Sequence, residues 1–163
     1  MPDHPAPDEA SAAGATPIRV ALCVTWTRKR RALTMRFGVL ELEPPMVALF
    51  DRDGTLQFRV AGPDLRVAPI GKTKVSLTPP NGEVRYVTGF TAQEANRRPA
   101  REMIARHQAI AIRPPSGRLS LSDWKRVAGD SNPWTAGTSL LTQRIAWQPK
   151  ILAALWECGA REP

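Results

Sequence analysis

From Ile18 onward the chain alternates. Val20, Leu22, Val24 and Trp26 are separated by Arg19, Ala21, Cys23 and Thr25. Spacing of period two predicts a strand with one face turned to a core. Arg28, Lys29, Arg30 and Arg31 interrupt it as a basic turn. Leu33, Met35, Phe37 and Val39 resume the alternation, and beyond Gly38 the apolar face passes to Leu40 and Leu42. A glycine at such a switch predicts a bulge or a sharp bend. Pro44 and Pro45 end the strand, because neither can donate to a ladder. A short apolar strand follows over 46–50, then the hairpin signal Asp53-Gly54. Leu56, Phe58 and Val60 alternate with Thr55, Gln57 and Arg59. Residues 62–64 form a turn. Residues 65–70 form a strand that Pro69 places near an edge. Two more strands are centred on Val75 and Leu77 and on Val84, Tyr86 and Thr88, with the turn Pro80-Asn81-Gly82 between them. About seven short strands at regular spacing predict an antiparallel barrel or sandwich.

The period then lengthens. Ala100, Met103, Ile104, His107, Ile110 and Ala111 fall at helical spacing, with Pro99 in the first turn and Pro114-Pro115 as the stop. Beyond that point a short helix around 121–128 starts at Ser120 and Asp123, which have capping-box-like spacing. Leu140, Leu141 and 145–147 form a further helical stretch. Pro149 is expected to break it or to start its successor. Ile151, Leu152, Leu155 and Trp156 give the last helix its apolar stripe, and Gly159 ends it.

Composition sharpens three points. Residues 1–17 carry Asp3, Asp8 and Glu9, no Lys or Arg and almost nothing to bury, which predicts a disordered tail. The formal net charge of +8 therefore understates the remainder, which holds 23 basic against 12 acidic residues. Of the basic residues 18 are Arg and 5 Lys, a bias that reads as a GC-rich, bacterial genome more than as chemistry. The N-terminus has neither the basic nor the apolar region of a secretory signal, and no run approaches the length of a spanning helix. Cys23 and Cys158 lie far apart and predict free thiols in a reducing, cytoplasmic setting.

Catalytic and metal chemistry find little to stand on. His4 lies in the tail, and His107 lies on an apolar helix face without a second ligand at useful spacing, so no metal and no cofactor are expected. No acid pair has a spacing that speaks for acid–base work. Gly71-Lys72-Thr73 mimics the end of a phosphate-binding loop, but Arg66 stands where the leading glycine is needed. The Ser122 to Lys125 spacing has no partner motifs in order. The chain is expected not to be an enzyme.

The order of seven strands and one amphipathic helix resembles the pleckstrin-homology-like superfamily, including GRAM and bacterial PH domains. The residues that carry this are 38–42, 46–50, 56–60 and 84–87, followed by the helix. The resemblance implies a mainly β fold, a seven-stranded antiparallel bent barrel capped by an amphipathic helix. It sets bounds of 18–113 for barrel and helix, with 114–163 as a helical extension on the barrel or on a partner. It also implies a binding module for a protein partner or an anionic lipid surface, peripheral at the membrane. Phospholipid-binding members carry cations between their first two strands, where this chain has Arg28, Lys29, Arg30 and Arg31. They continue with Arg-x-Arg at the start of the second strand, and here Arg36 stands alone. The net charge keeps a nucleic-acid-binding protein open as the alternative, with Trp26 available to lie against a base or headgroup. Trp124, Trp134, Trp147 and Trp156 are candidates for a partner-binding surface, since Trp is enriched at interface hot spots. They serve equally to fill the joint between helices and barrel. A homo-oligomer is left open.

Overall fold

The structure is a computed structural model describing residues 18–32, 34–111, 120–121 and 137–163. Seven strands form one antiparallel sheet: β1 Val20–Thr27, β2 Arg36–Glu43, β3 Met46–Asp51, β4 Leu56–Ala61, β5 Arg66–Ile70, β6 Lys74–Thr78 and β7 Arg85–Gly89. Their spatial order is β4-β3-β2-β1-β7-β6-β5. A 3₁₀ turn, Gly62–Asp64, joins the two outer strands. The helices are α1 Ala92–Ala95, α2 Arg98–His107 and α3 Leu140–Glu157. The tail residues 1–17 and the expected short helix around 121–128 lie outside the described residues, apart from Leu121.

The alternation in β1 divides the molecule. Val20, Leu22, Val24 and Trp26 share one apolar cluster with residues of every other strand, among them Leu40, Leu49, Phe58, Val67, Leu77 and Val87. A sheet whose seven strands all meet on one face must curl around it. Trp147, Ile151, Leu152 and Leu155 of α3 fill the inside of that curl. Burying each large apolar side chain there contributes about 1.5–3 kcal/mol. Ala21 and Cys23 belong to a second cluster on the outer face with Val39, Phe90, Ala100 and Met103. There α2 lies across β1 and β2. Burial pushes the Cys23 thiol up to about 12 and the Cys158 thiol up to about 11, so both stay protonated and unreactive at neutral pH.

Several local readings change. The helix expected to run through Ile110 and Ala111 ends at His107, and Ile110 instead bridges to Leu22 of β1. No bulge occurs at Gly38: β2 keeps one register with β1 over 36–42 and with β3 over 38–43. Val39 packs outward and Leu40 inward because the sheet is buried on both faces, which produces an apparent switch without a bulge. The irregularity lies between β3 and β4, where the pairing steps from Leu49–Phe58 to Phe50–Leu56 and passes over Gln57 of β4. Pro149 neither breaks nor starts a helix: α3 runs through it from Leu140 to Glu157. Trp147 and Ile151, buried on either side of it, hold the helix together. Finally, the short α1 precedes α2, fixed by a capping box in which Thr91 and Glu94 satisfy each other's backbone N–H groups.

The two sheet edges differ. Arg161 bridges to Arg66, with the Val67 amide donating to its carbonyl at 2.8 Å and its own amide donating to Leu65 at 3.1 Å. The chain thus covers part of the β5 edge with its own C-terminal residues.

Candidate functional site

Arg28, Lys29, Arg30 and Arg31 form the turn after β1, and all four are exposed. The hydroxyl oxygen of Thr27 accepts the Lys29 amide at 3.2 Å and shapes the start of the turn. Lys74 Nζ donates to the Arg30 carbonyl at 2.7 Å, tying the turn to the start of β6. Gln148 of α3 in turn donates through Nε2 to the carbonyls of Gly71 and Lys74, at 3.1 and 2.7 Å. Helix, β5–β6 turn and basic turn are therefore joined by consecutive hydrogen bonds. Lys72 is exposed on that same β5–β6 turn. Among the described residues none of the cations at 28–31, nor Lys72, pairs with a carboxylate.

Trp26 is not available to any ligand. It is fully buried, with the guanidinium groups of Arg36 and Arg85 at 5.4 and 5.6 Å from its ring centroid. Arg85 is itself buried, at 4 % exposure, and donates to the Glu83 carbonyl and carboxylate. Alternation left this residue unremarked. It sits inside because its stem and guanidinium pack against the indole face.

Arg36 opens β2, opposite Trp26 of β1 and at the far end of the loop that carries the basic turn. It lines a cleft of about 640 Å³ with Arg52 and Arg97, between the start of β2, the β3–β4 turn and the start of α2. Asp51 and Asp53 share this cleft, as do Met35, Phe37 and Pro99. Asp51 accepts the Arg52 amide at 2.9 Å and Asp53 accepts the Thr55 amide at 3.0 Å. The Thr55 N–H holds the Asp53 carboxyl below the usual carboxylate range. Sequence reading missed Arg52 and Arg97. The one available signal was Asp51-Arg52-Asp53-Gly54, which turn chemistry already explained.

The tryptophans separate as well. Trp147 is fully buried and donates through Nε1 to the Phe90 carbonyl at 2.9 Å, so it packs the interior and offers no surface. Trp156 is 45 % exposed on α3. Trp124 and Trp134 lie outside the described residues. His107 is buried beside Phe50, with Nδ1 at 3.6 Å from Glu41, whose other oxygen accepts from Arg19 at 3.0 Å. This cluster fastens the end of α2 to β1 and β2. Among the described residues no group of His, Cys, Asp or Glu is gathered to hold a metal, and no helix is long and apolar enough to cross a membrane.

Seven antiparallel strands in one curled sheet, with an amphipathic helix packed on it, match the expected architecture. This is the arrangement that the resemblance to pleckstrin-homology-like domains implied. No family model and no curated protein matches the chain. Among solved structures the chain is similar to the solution structure of the PH domain of human oxysterol-binding protein-related protein 11. That similarity has 13 % identity and a TM-score of 0.35, and covers 65 % of this chain and 96 % of that one.

Proposed function

We propose that the chain is a non-catalytic PH-like binding module that meets an anionic membrane surface through the turn at 28–31. The observation that carries this reading is the exposed, carboxylate-free run of cations, held in place by Lys74 and extended by Lys72. Cations kept near an anionic bilayer contribute about 1 kcal/mol each, so several acting together give a reversible, peripheral attachment. A nucleic-acid role draws less support. Trp26, the aromatic nearest the basic turn in the chain, is buried and supplies no stacking platform.

The test is co-sedimentation with vesicles of phosphatidylcholine alone or with added phosphatidylserine. Binding is expected only with the acidic lipid. Replacing Arg28, Lys29, Arg30 and Arg31 together by Ser is expected to lower partitioning by about 100- to 1,000-fold, from about 1 kcal/mol per charge. Equally weak sedimentation with both vesicle types at low salt overturns the proposal. Tighter binding to a short single-stranded DNA than to acidic vesicles overturns it in favour of the alternative.

A further inference from the structure

We propose that the cleft between β2, the β3–β4 turn and α2 is a second, separate site, and that it takes a mononucleotide. Its construction differs from that of the basic turn. The turn at 28–31 is an exposed run of cations alone. The cleft is concave, and its volume of about 640 Å³ lies within the range of sites for small organic ligands.

Three kinds of wall meet in it. Arg36, Arg52 and Arg97 come from three different elements and make no ion pair among the described residues. Guanidinium groups left unpaired in one concavity suit a phosphate, which they bind through paired N–H donors. Asp51 commits one oxygen to the Arg52 amide, whereas Asp53 is held by both the amide and the side chain of Thr55. The other oxygen of Asp51 is placed to accept from a hydroxyl or amino group, which inorganic phosphate does not supply. Phe37, braced at 4.9 Å between ring centroids by Phe90, forms an apolar wall with Met35 and Pro99. A rigid aromatic wall favours a flat ring over a bare sugar. Phosphate, hydroxyl-bearing sugar and flat base together satisfy all three walls, whereas a phosphate or a nucleoside alone satisfies only part of them. The two carboxylates also disfavour a ligand that is anionic throughout.

Titration calorimetry on the full chain tests this with AMP, ribose 5-phosphate, adenosine and inorganic phosphate. AMP is expected to bind at least about tenfold more tightly than any of the other three. Arg52→Ala and Arg97→Ala each remove an exposed side chain, and each is expected to weaken AMP at least about tenfold, a loss of about 1.4 kcal/mol. Phe37→Leu is expected to weaken AMP while leaving ribose 5-phosphate unchanged. The variant with Ser at 28, 29, 30 and 31 is expected to bind AMP like the unaltered chain, which keeps this site's fate independent of the membrane proposal. Absence of AMP binding, equal affinity for inorganic phosphate, or unchanged affinity in both arginine variants overturns the proposal. Preference for a phosphotyrosine peptide over AMP also overturns it, and would make the cleft a peptide site.

Discussion

At the scale of the residue, two glycines report how closely the interior is packed. A Cβ at Gly89 would lie 2.1 Å from Cγ of Trp147, and one at Gly38 would lie 2.7 Å from Cδ1 of Trp26 and 2.5 Å from the Phe50 carbonyl oxygen. Each glycine is thus the floor on which an indole rests. Gly38→Ala is expected to destabilise by about 1–3 kcal/mol, the usual cost of overpacking. Gly89→Ala is expected to cost more, because Trp147 would have to leave its position and forfeit the bond from Nε1 to Phe90. Urea unfolding of the two variants checks both the sign and the order. Sequence alone could not assign these roles. Gly38 stands where the apolar face changes, and a missing side chain that makes room for a distant ring looks the same along the chain as one that permits a bend. Arg85 was hidden for a related reason, since a charged residue in an alternating strand is placed outside unless its aromatic partner is known.

At the scale of the element, the strands were legible because alternation and turn chemistry agreed from Ile18 to Gly89. Pro69 marked an edge strand, and β5 is one. Alternation became ambiguous where helices bury both faces of the sheet, in β1 and β2, and it misled in β7, where Arg85 and Val87 are buried and Tyr86 only half-buried. The helices were less legible, because their ends depend on contacts made elsewhere. A proline in the middle of a helical run removes one donor and crowds the preceding turn, which ordinarily ends the helix. Here Trp147, Ile151, Leu152 and Leu155 are all buried, and their packing outweighs the local defect. The defect should persist as a cost within the folded helix. Pro149 is exposed, so Pro149→Ala leaves no cavity and restores an N–H able to bond to the Ile145 carbonyl. Alanine is favoured over proline by about 3 kcal/mol in a helix interior, less about 0.4–1 kcal/mol for the freer unfolded chain. The net expectation is a gain of about 2–2.5 kcal/mol, read as a higher urea midpoint at unchanged slope. A loss of stability would show that the proline shapes the helix to fit the curl.

At the scale of the whole molecule, the question is whether the basic turn is a site or merely a concentration of charge. The run at 28–31 was plain in the sequence because its members are adjacent. Lys72 and Lys74 joined it only in the structure, and the arginines of the cleft could not be grouped at all, because Arg52 and Arg97 come from unrelated elements. Substitutions that remove charge do not settle the question, since either account predicts weaker membrane binding. Lys72→Ser, for instance, should lower partitioning about fivefold in both cases, from about 1 kcal/mol per cation. A neutral residue separates them. Gln148 carries no charge and holds the β5–β6 turn through Gly71 and Lys74, and Lys74 holds the basic turn through Arg30. Gln148→Ala leaves the long-range field intact and frees the turn that presents the cations. An organised site then loses about two- to fivefold in binding to acidic vesicles, because part of the interaction is spent on ordering the turn. Diffuse attraction is unchanged by the substitution. Raising the salt shortens the Debye length from about 10 Å at 0.1 M to about 3 Å at 1 M, which should abolish the Lys72→Ser effect together with most of the binding. Unchanged partitioning of Gln148→Ala at low salt, in a variant of unaltered urea midpoint, would show that the hydrogen-bonded path from α3 to the turn has no part in presenting the cations.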